Sequence, residues 1–575
     1  MTGSWRPPIA LTRAAAVRPG RLGGAGCSKT RRSASCPSPS ETPDMADLEK
    51  VKKRSDDAWS NRSGFDALYR EAFDYAIPQR RPGGDGNSVR SGDFLFDMTA
   101  PTSTMHFAGN LQRDLFPSGQ PPAILEAGPV TAMALSSREV TTYNRMLERQ
   151  ANRINPFFLQ GDWDTTLHEA CIELAVGTAA IIPIKGDHNE PVRFGSISID
   201  QIALECDAYG RVVFISWRQV FTRDQILAAY PDGTWPEGWR DETMGSKGKD
   251  TATFTQCFWQ KGNTKREGWQ FVAYLDKSTE PVVGKLYRTQ PIAVPRYYRV
   301  PGEAYGRGVV LTALPSIKTV NKAQEIALKA AAIQMLGIWG YRAGGTFNPD
   351  TVRVGPGEFW PMQATGGVLG PDVQRIDPAT GRMDVARMLI GNLQDQIREA
   401  LLDTRLPEYQ GTPRAASEIA ARLRQRADVH IGAFGRLVRE IMPVIVPRVA
   451  EILYEFAYLQ MPMTIDELLV TCKVRSPMAA ALNADRLAAI ANYLEFVGAV
   501  AGPEKVSLYA NIDKVLEQVG NGLQIDKELI PTETERAKVE SDMQAAQQQQ
   551  IAAMFAQEAA KQAPGLMAEE MRAAA

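Results

Sequence analysis

The stretch VVLTALPSIKTVNKAQEIALKAAAIQMLGIW, residues 309–339, decides how the chain is read. No glycine interrupts it between Gly308 and Gly337, and the pattern predicts a helix over Val309 to Trp339. The helix must then stop. Tyr341 to Gly381 holds Gly344, Gly345, Gly355, Gly357, Gly366, Gly367 and Gly370, with Pro349, Pro356, Pro361, Pro371 and Pro378 among them. A helix does not cross such a run, because proline removes a backbone donor and glycine raises the entropy lost on ordering. Helical pattern resumes at Met383 and ends near Thr404, with Ala386, Ile390, Leu393, Ile397 and Leu401 on one side. The loop Thr404 to Arg414 has no periodicity. A very long helix follows, from Ala415 to about Tyr458, with Ile419, Leu423, Ala427, Phe434, Val438 and Ile441 at helical spacing. Its other side is charged (Arg422, Arg424, Arg426, Arg436, Arg439), and Pro443 and Pro447 predict a kink.

The rest of the chain bounds what this centre can belong to. At 575 residues it is long enough for two or more domains, and 44% hydrophobic with 23% charged residues is an ordinary globular balance. A formal net charge of -1 gives no global basic field. A protein that grips DNA by neutralising phosphates would carry one, whereas one that lets DNA slide past need not. The six cysteines are scattered without a CxxC pair, which argues against a zinc site or disulfide framework and for a reducing compartment. The most apolar run, Ile441 to Val449, is short and broken by Pro443, Pro447 and Arg448, so no membrane span is expected. Residues 1–44 are rich in Arg, Pro, Ser and Gly and admit three readings: a disordered basic tail, a targeting peptide, or an over-extended frame with the start at Met45. The third is preferred, because an ordinary charged helix, Ala46 to Trp59, begins directly after Met45.

From Met45 the helical pattern runs to Tyr75, and Ile77-Pro78 ends it. Further helices are predicted over Thr102 to Leu115, Ser136 to Asn155 and Phe157 to Val176, with Asp97 and Thr99 as turn and cap before the first. Adjacent His168 and Glu169 read as a packed or solvated pair, since no second histidine stands at HExxH spacing. His188 is expected in a polar, solvated turn and His430 packed on the long helix. The β-branched runs Ala180 to Ile182, Ile197 to Ile199 and Val212 to Ile215, then a second set over Phe254 to Arg299, predict an antiparallel meander with a short helix, Arg223 to Tyr230, between its halves. On the 309–339 helix, Lys318, Lys322, Glu325 and Lys329 fall in one narrow sector, with Val320, Leu328 and Ala331 opposite. Two readings stand: a solvated face with Lys322–Glu325 support, or a lysine stripe facing a channel. Helical pattern returns at Met478 to Val500 and Glu504 to Gly520, before a Gln-, Ala- and Met-rich end.

The runs YAIPQ (75–79) and FLFDMTAPTSTMHFAGNLQRDLFPSGQ (94–120), with EAYGRG (303–308) ahead of LPSIKTVN (314–321), resemble the head-to-tail connecting, or portal, proteins of short-tailed, T7-like tailed bacteriophages. That family has a Tyr-x-Ile-Pro, a Phe-Asp-x-Thr turn and an Ala-rich helix ending in Leu-Phe-Pro. The order helix, excursion, helix, loop, long helix resembles its stem, clip, stem, tunnel loop and wing helix. The resemblance implies an α+β, predominantly helical fold of portal type, with an antiparallel β meander in the wing. It implies a wing over 45–307, a first stem helix over 308–340 and a clip over 341–381. The second stem helix would be 382–403, the tunnel loop 404–414, a long kinked wing helix with its following segment 415–478, and a helical crown with a Gln/Ala-rich tail 479–575. It further implies a dodecameric homo-oligomeric ring at the capsid vertex of the virion, assembled in the host cytoplasm. Double-stranded DNA would pass through it in packaging and ejection, and a terminase motor, tail adaptor, capsid and scaffold proteins would be its partners. Lys318, Lys322, Lys329, Arg405, Tyr409 and Arg414 are the DNA-channel candidates, with no cofactor, metal or catalytic residue expected.

The chain has no GxxxxGK[ST] and no GxSxG, and four histidines offer little general-base chemistry. A passive conduit therefore fits better than a motor. The competing readings are a non-ring DNA-binding or scaffolding protein of a virus or mobile element, and a nuclease built from scattered carboxylates.

Overall fold

A computed structural model describes residues 45–80, 94–262, 268–276, 278–336, 338–341, 373–376, 383–403, 416–459, 465, 468–474, 477–502, 510, 512–522, 536–539 and 541–554. The chain opens with helix α1 (Met45–Ala76) and, after the 94–98 segment, α2 (Thr99–Leu115). Strand β1 (Ala123–Ala127), the short α3 (Pro129–Ala134), α4 (Ser137–Gln160) and α5 (Trp163–Leu174) follow. Ser136 starts α4 with a capping box: its side chain caps the Glu139 backbone, and Glu139 accepts from the Ser136 backbone at 2.9 Å. α4 runs through Pro156 to Gln160, so the helix predicted from Phe157 begins instead at Trp163. The break sits at Gly161–Asp162, where Asp162 is left-handed (φ 59) and a Cβ on Gly161 would meet the Val192 carbonyl.

Strands β2 (Ala180–Lys185) and β3 (Val192–Ile197) form a separate hairpin. The antiparallel meander is five-stranded, in order β4 (Ile202–Cys206), β5 (Val212–Thr222), β6 (Thr251–Gln260), β7 (Trp269–Leu275), β8 (Val283–Tyr287), with α6 (Arg223–Ala229) and α7 (Trp239–Glu242) inserted between β5 and β6. Both faces are buried, with opposite parity. Ala203, Phe214, Cys257, Val272 and Tyr274 pack under Leu48, Val51 and Ala58 of α1, whereas Ile202, Leu204, Ile215, Phe258 and Phe271 enter the main core. The strand expected over Ile197 to Ile199 ends at Ile197, and residues 199–201 turn instead. The turn is held by Arg62 of α1, 2% exposed, whose Nη1 donates to the Ile199 and Ile202 carbonyls at 2.5 and 2.8 Å. His168 packs as expected, its Nδ1 2.9 Å from Gln112 Oε1, while Glu169 pairs with Arg80 at 3.0 Å. His188 is exposed but lays its ring edge-on against Phe456, centroids 5.3 Å apart.

The pair β9 (Tyr298–Arg299) and β10 (Gly306–Arg307) leads into α8 (Val309–Leu336). Here backbone lies on backbone: Gly308 N–H donates to the Val176 carbonyl at 2.8 Å and Val310 N–H to Ala175 at 3.0 Å. A side chain at Gly306 or Gly308 would strike the carbonyls of Gly177 or Ala175, which accounts for the glycines of the EAYGRG run. α8 stops at Leu336, and Ile338–Tyr341 is a strand, β11, rather than the last turn of the helix predicted to Trp339. The reason is a partner: β11 pairs antiparallel with β12 (Val373–Ile376), Ile338 opposite Ile376 and Tyr341 opposite Val373, so strand pairing satisfies the backbone there. α9 (Met383–Ala400) then returns along α8, burying Ile390, Ile397 and the following Leu401. On the other flank of α8 Val320 is buried but Leu328 is 50% exposed, because the distal half of the helix extends past the core.

α10 (Ala416–Glu455) is continuous through Pro443 and Pro447. It is tied to the N-terminal block by Arg296, whose Nη2 is 2.8 Å from Glu440 Oε1 and whose backbone N–H donates to Glu440 Oε2 at 2.8 Å. Strand β13 (Val470–Val474) pairs antiparallel with β1, and α11 (Pro477–Ala501) and α12 (Ile512–Gly522) close the helical end. The His430 side chain, residues 1–44 and residues 404–415 lie outside the described residues.

Fully buried Glu173 binds Arg80 Nε at 3.2 Å and the Ile199 N–H at 3.0 Å. Burial outweighs these contacts and pushes its carboxyl up to about 7. A raised carboxyl pKa adds stability that is present below about pH 4.5 and is lost as pH rises through about 7. The rise sets an upper scale of about 3 kcal/mol. The melting temperature of the wild type relative to Glu173→Gln is expected to fall between pH 5 and 8, measured by scanning calorimetry; a pH-independent difference would contradict this titration.

Candidate DNA-channel surface and the junction behind it

The helix that carries the three lysines of the channel set, α8, is docked at one end and exposed at the other. Val309, Val310, Ala313, Leu314, Ile317 and Val320 are buried, while no described residue from Lys322 onward on this helix is. Lys318 lies at the boundary. Its Nζ is 2.8 Å from Glu71 Oε2 of α1, which holds the ammonium pKa above the usual lysine range. Lys322 and Lys329 flank Glu325 at 2.9 and 2.6 Å. Their hydrogen bonds, that from Lys329 first, hold the Glu325 carboxyl below the ordinary value. The lysines and Glu71 are exposed and Glu325 is half-buried, so the pairs add little to stability. Their consequence is electrostatic: two lysines share one carboxylate, and Lys318 is turned toward α1. The stripe is a mixed, weakly positive surface rather than a row of uncompensated cations. Arg405, Tyr409 and Arg414 lie outside the described residues, so the structure brings together only the three lysines.

Behind this surface lies an arrangement that the sequence motifs point to but do not reveal as one object. Asn321 of α8, buried, accepts at Oδ1 from the backbone N–H groups of Phe96 (2.7 Å) and Asp97 (3.2 Å), and its Nδ2 donates to the Phe94 carbonyl at 2.9 Å. Asp97 in turn accepts from the Thr99 N–H at 3.1 Å and from Gln394 Nε2 of α9 at 2.6 Å. Phe94 packs edge-on against Tyr75, centroids 5.6 Å apart. Farther along α2, Ser103 Oγ donates to Asp403 Oδ2 at 2.9 Å, both residues buried. The Tyr-x-Ile-Pro, Phe-Asp-x-Thr and LPSIKTVN runs therefore meet at one junction, which fixes the α8–α9 pair to the N-terminal block. EAYGRG sits on a neighbouring seam, where the Tyr305 hydroxyl accepts from the Leu204 N–H at 3.0 Å and Tyr69 Oη donates to the Gly306 carbonyl at 2.6 Å. The Leu-Phe-Pro end of α2 places Phe116 edge-on to Trp163.

Among the described residues no group of three or more His, Cys, Asp or Glu side chains is arranged to hold a metal ion, and no helix is long and apolar enough to cross a membrane.

Replacing Asn321 with Leu leaves two backbone donors without an acceptor and is expected to cost on the order of 2 kcal/mol. Asn321→Asp keeps an acceptor for both and should lose less. Urea unfolding of the two variants checks the order, and equal losses would show that the amide's bonds are not the determinant.

A comparison with curated proteins finds no match. A comparison with protein-family models matches residues 48–530 to the bacteriophage head to tail connecting protein. That span begins in α1, ends beyond α12 and contains every element of the junction. The chain belongs to the bacteriophage head to tail connecting protein family, a structural, non-enzymatic family of the virion.

Proposed function

We propose that the chain is the subunit of a portal ring, twelve copies around a central channel, at one capsid vertex of a short-tailed, T7-like bacteriophage. Double-stranded DNA would pass through the channel in packaging and ejection. The 341–381 excursion would dock the terminase motor and later the tail adaptor, and the outer region would face capsid and scaffold proteins. The observation that carries this reading is the α8–β11/β12–α9 unit. It is a pair of antiparallel helices whose far end is closed by paired strands around residues 342–372, and it is fixed at the near end by the junction of Asn321, Asp97 and Gln394. Such a unit presents an excursion at a set distance from the body, as a docking platform requires.

The electrostatics support a conduit over a clamp. A net charge of -1 and a lysine pair that shares Glu325 give DNA contacts without deep wells. Strong phosphate neutralisation would instead hold the duplex in place. In this reading Lys322 and Lys329 face the passing phosphates, and Arg405, Tyr409 and Arg414 on the 404–414 loop meet the DNA at the narrowest point.

Native mass spectrometry of the full chain, with negative-stain imaging, is expected to show large closed rings with a central hole. A monomer that persists across protein and salt concentration contradicts the ring. Arg405→Gln with Arg414→Gln is expected to lower DNA retention in filled particles without changing ring size, and unchanged retention removes the loop from DNA contact.

A further inference from the structure

We infer that the projecting half of the α8–α9 pair carries both halves of a head-to-tail contact between copies of this chain. One half is Ile326 with Leu389. The other is Leu328 with Phe96 and Met98. The inference rests on the ring reading and names the surfaces by which a copy meets its neighbours. Ile326, Leu328, Leu389 and Met98 are 58%, 50%, 54% and 55% exposed. One exposed leucine is ordinary, but large apolar side chains on both sides of a single projecting element mark an interaction surface.

Helical geometry separates the two sets. Ile326 and Leu328 lie about 200° apart around α8, and Lys322 and Lys329 run along the edge midway between them. Leu328 comes about two turns after Asn321 and shares its side of the helix, where Asn321 Oδ1 accepts from the Phe96 N–H at 2.7 Å. The 94–98 segment crosses that flank at its root, since Asp97 Oδ1 also accepts from Gln394 of α9 at 2.6 Å, and it leaves Phe96 and Met98 exposed. Around α9, Gln394 and Leu389 fall on opposite sides of the buried Ile390–Ile397 row, which places Leu389 on the flank of Ile326.

The occupant of each flank is a second copy. The two flanks are different surfaces, so the first flank of one copy meets the second flank of the next. Such a contact leaves one half free at each end and repeats until it closes into a ring, whereas a surface that pairs with itself stops at a dimer. The charge pattern agrees. Lys322 and Lys329 share Glu325 at 2.9 and 2.6 Å, so copies set side by side repel one another little. Packing on the flanks turns this lysine edge to one side of the wall and α9 to the other, as a channel lining requires.

Native mass spectrometry of the full-length chain tests this, with one component isotope-labelled in mixtures. Ile326→Glu with Leu389→Glu disables the first flank, and Leu328→Glu with Met98→Glu disables the second. All four side chains are exposed, so each variant is expected to keep the wild-type melting temperature by circular dichroism. Each alone is expected to stay monomeric at concentrations where the wild type forms rings. An equal mixture is expected to give a dimer of one copy of each and nothing larger, because such a pair retains one intact contact. This dimer should exceed either homodimer about tenfold or more, as one contact against none requires. Mixing does not repair a folding defect, so a merely structural role gives no such dimer. Rings that persist in both variants overturn the inference and keep the ring reading, as does a mixture that stays monomeric while the wild type forms rings. A wild type that forms open chains, lost in both variants and restored to dimers on mixing, keeps the contact and removes the closed ring. A wild type that stays monomeric overturns both.

Discussion

The fold turns on one side-chain amide. The segment ahead of α2 is irregular, and its backbone groups have no strand or helix to pair with. Asn321 supplies the missing partner: one oxygen takes the Phe96 and Asp97 donors, and one nitrogen serves the Phe94 carbonyl. An amide carries an acceptor oxygen and a donor nitrogen side by side, so it can serve both kinds of backbone group at one point. A hydrophobic residue would dock the same surfaces without setting their register. With the segment fixed, Asp97 is placed to start α2 and to hold Gln394. The relative position of α2, α8 and α9 thus follows from a few directional bonds within a large non-directional core.

This explains how one helix performs two tasks. The first half of α8 is a core helix, with Val310 and Val320 fully buried. The second half carries Lys322, Glu325 and Lys329 beside exposed Ile326 and Leu328. A helix that projects from its support bends or frays unless its root is held and its free end closed. The Asn321 clamp holds the root, and the β11–β12 pairing joins the chain leaving α8 to the chain entering α9 at the far end. The charge pattern matches the division, since lysines that share a carboxylate keep the projecting part hydrated without a strong field.

Much of this was legible in the sequence, for local reasons. Breakers at 341–381 separated α8 from α9, the β-branched runs marked the meander, and the Arg223 helix appeared within one residue of its predicted end. The motifs pointed to the right family in the right order. What they concealed was that they touch. Nothing near Asn321 in sequence announces Phe94, and nothing near Gln394 or Asp403 announces α2, because these bonds span hundreds of positions. The β1–β13 pair is of the same kind: Ala123–Ala127 and Val470–Val474 become strands because they find each other. Boundaries failed where tertiary contact overrode propensity, at Gly161–Asp162 against the Val192 carbonyl and at Ile199 under Arg62.

The buried charges share this logic. Arg62 joins α1 to the turn before β4, Arg296 joins the β9 approach to α10 through Glu440, and Glu173 joins α5 to Arg80 and the same turn. Each is buried and each links pieces distant in sequence. An apolar core of this size tolerates helices sliding by a turn, since burial is rewarded wherever it occurs. A guanidinium with four acceptors tolerates one position: Arg62 meets Asp66, Asp200 and the Ile199 and Ile202 carbonyls at once. Moving it leaves a buried charge unpaired, which is far costlier than a lost methyl contact. The polar seams, rather than the apolar interior, are therefore where elements distant in sequence are held in one relative position.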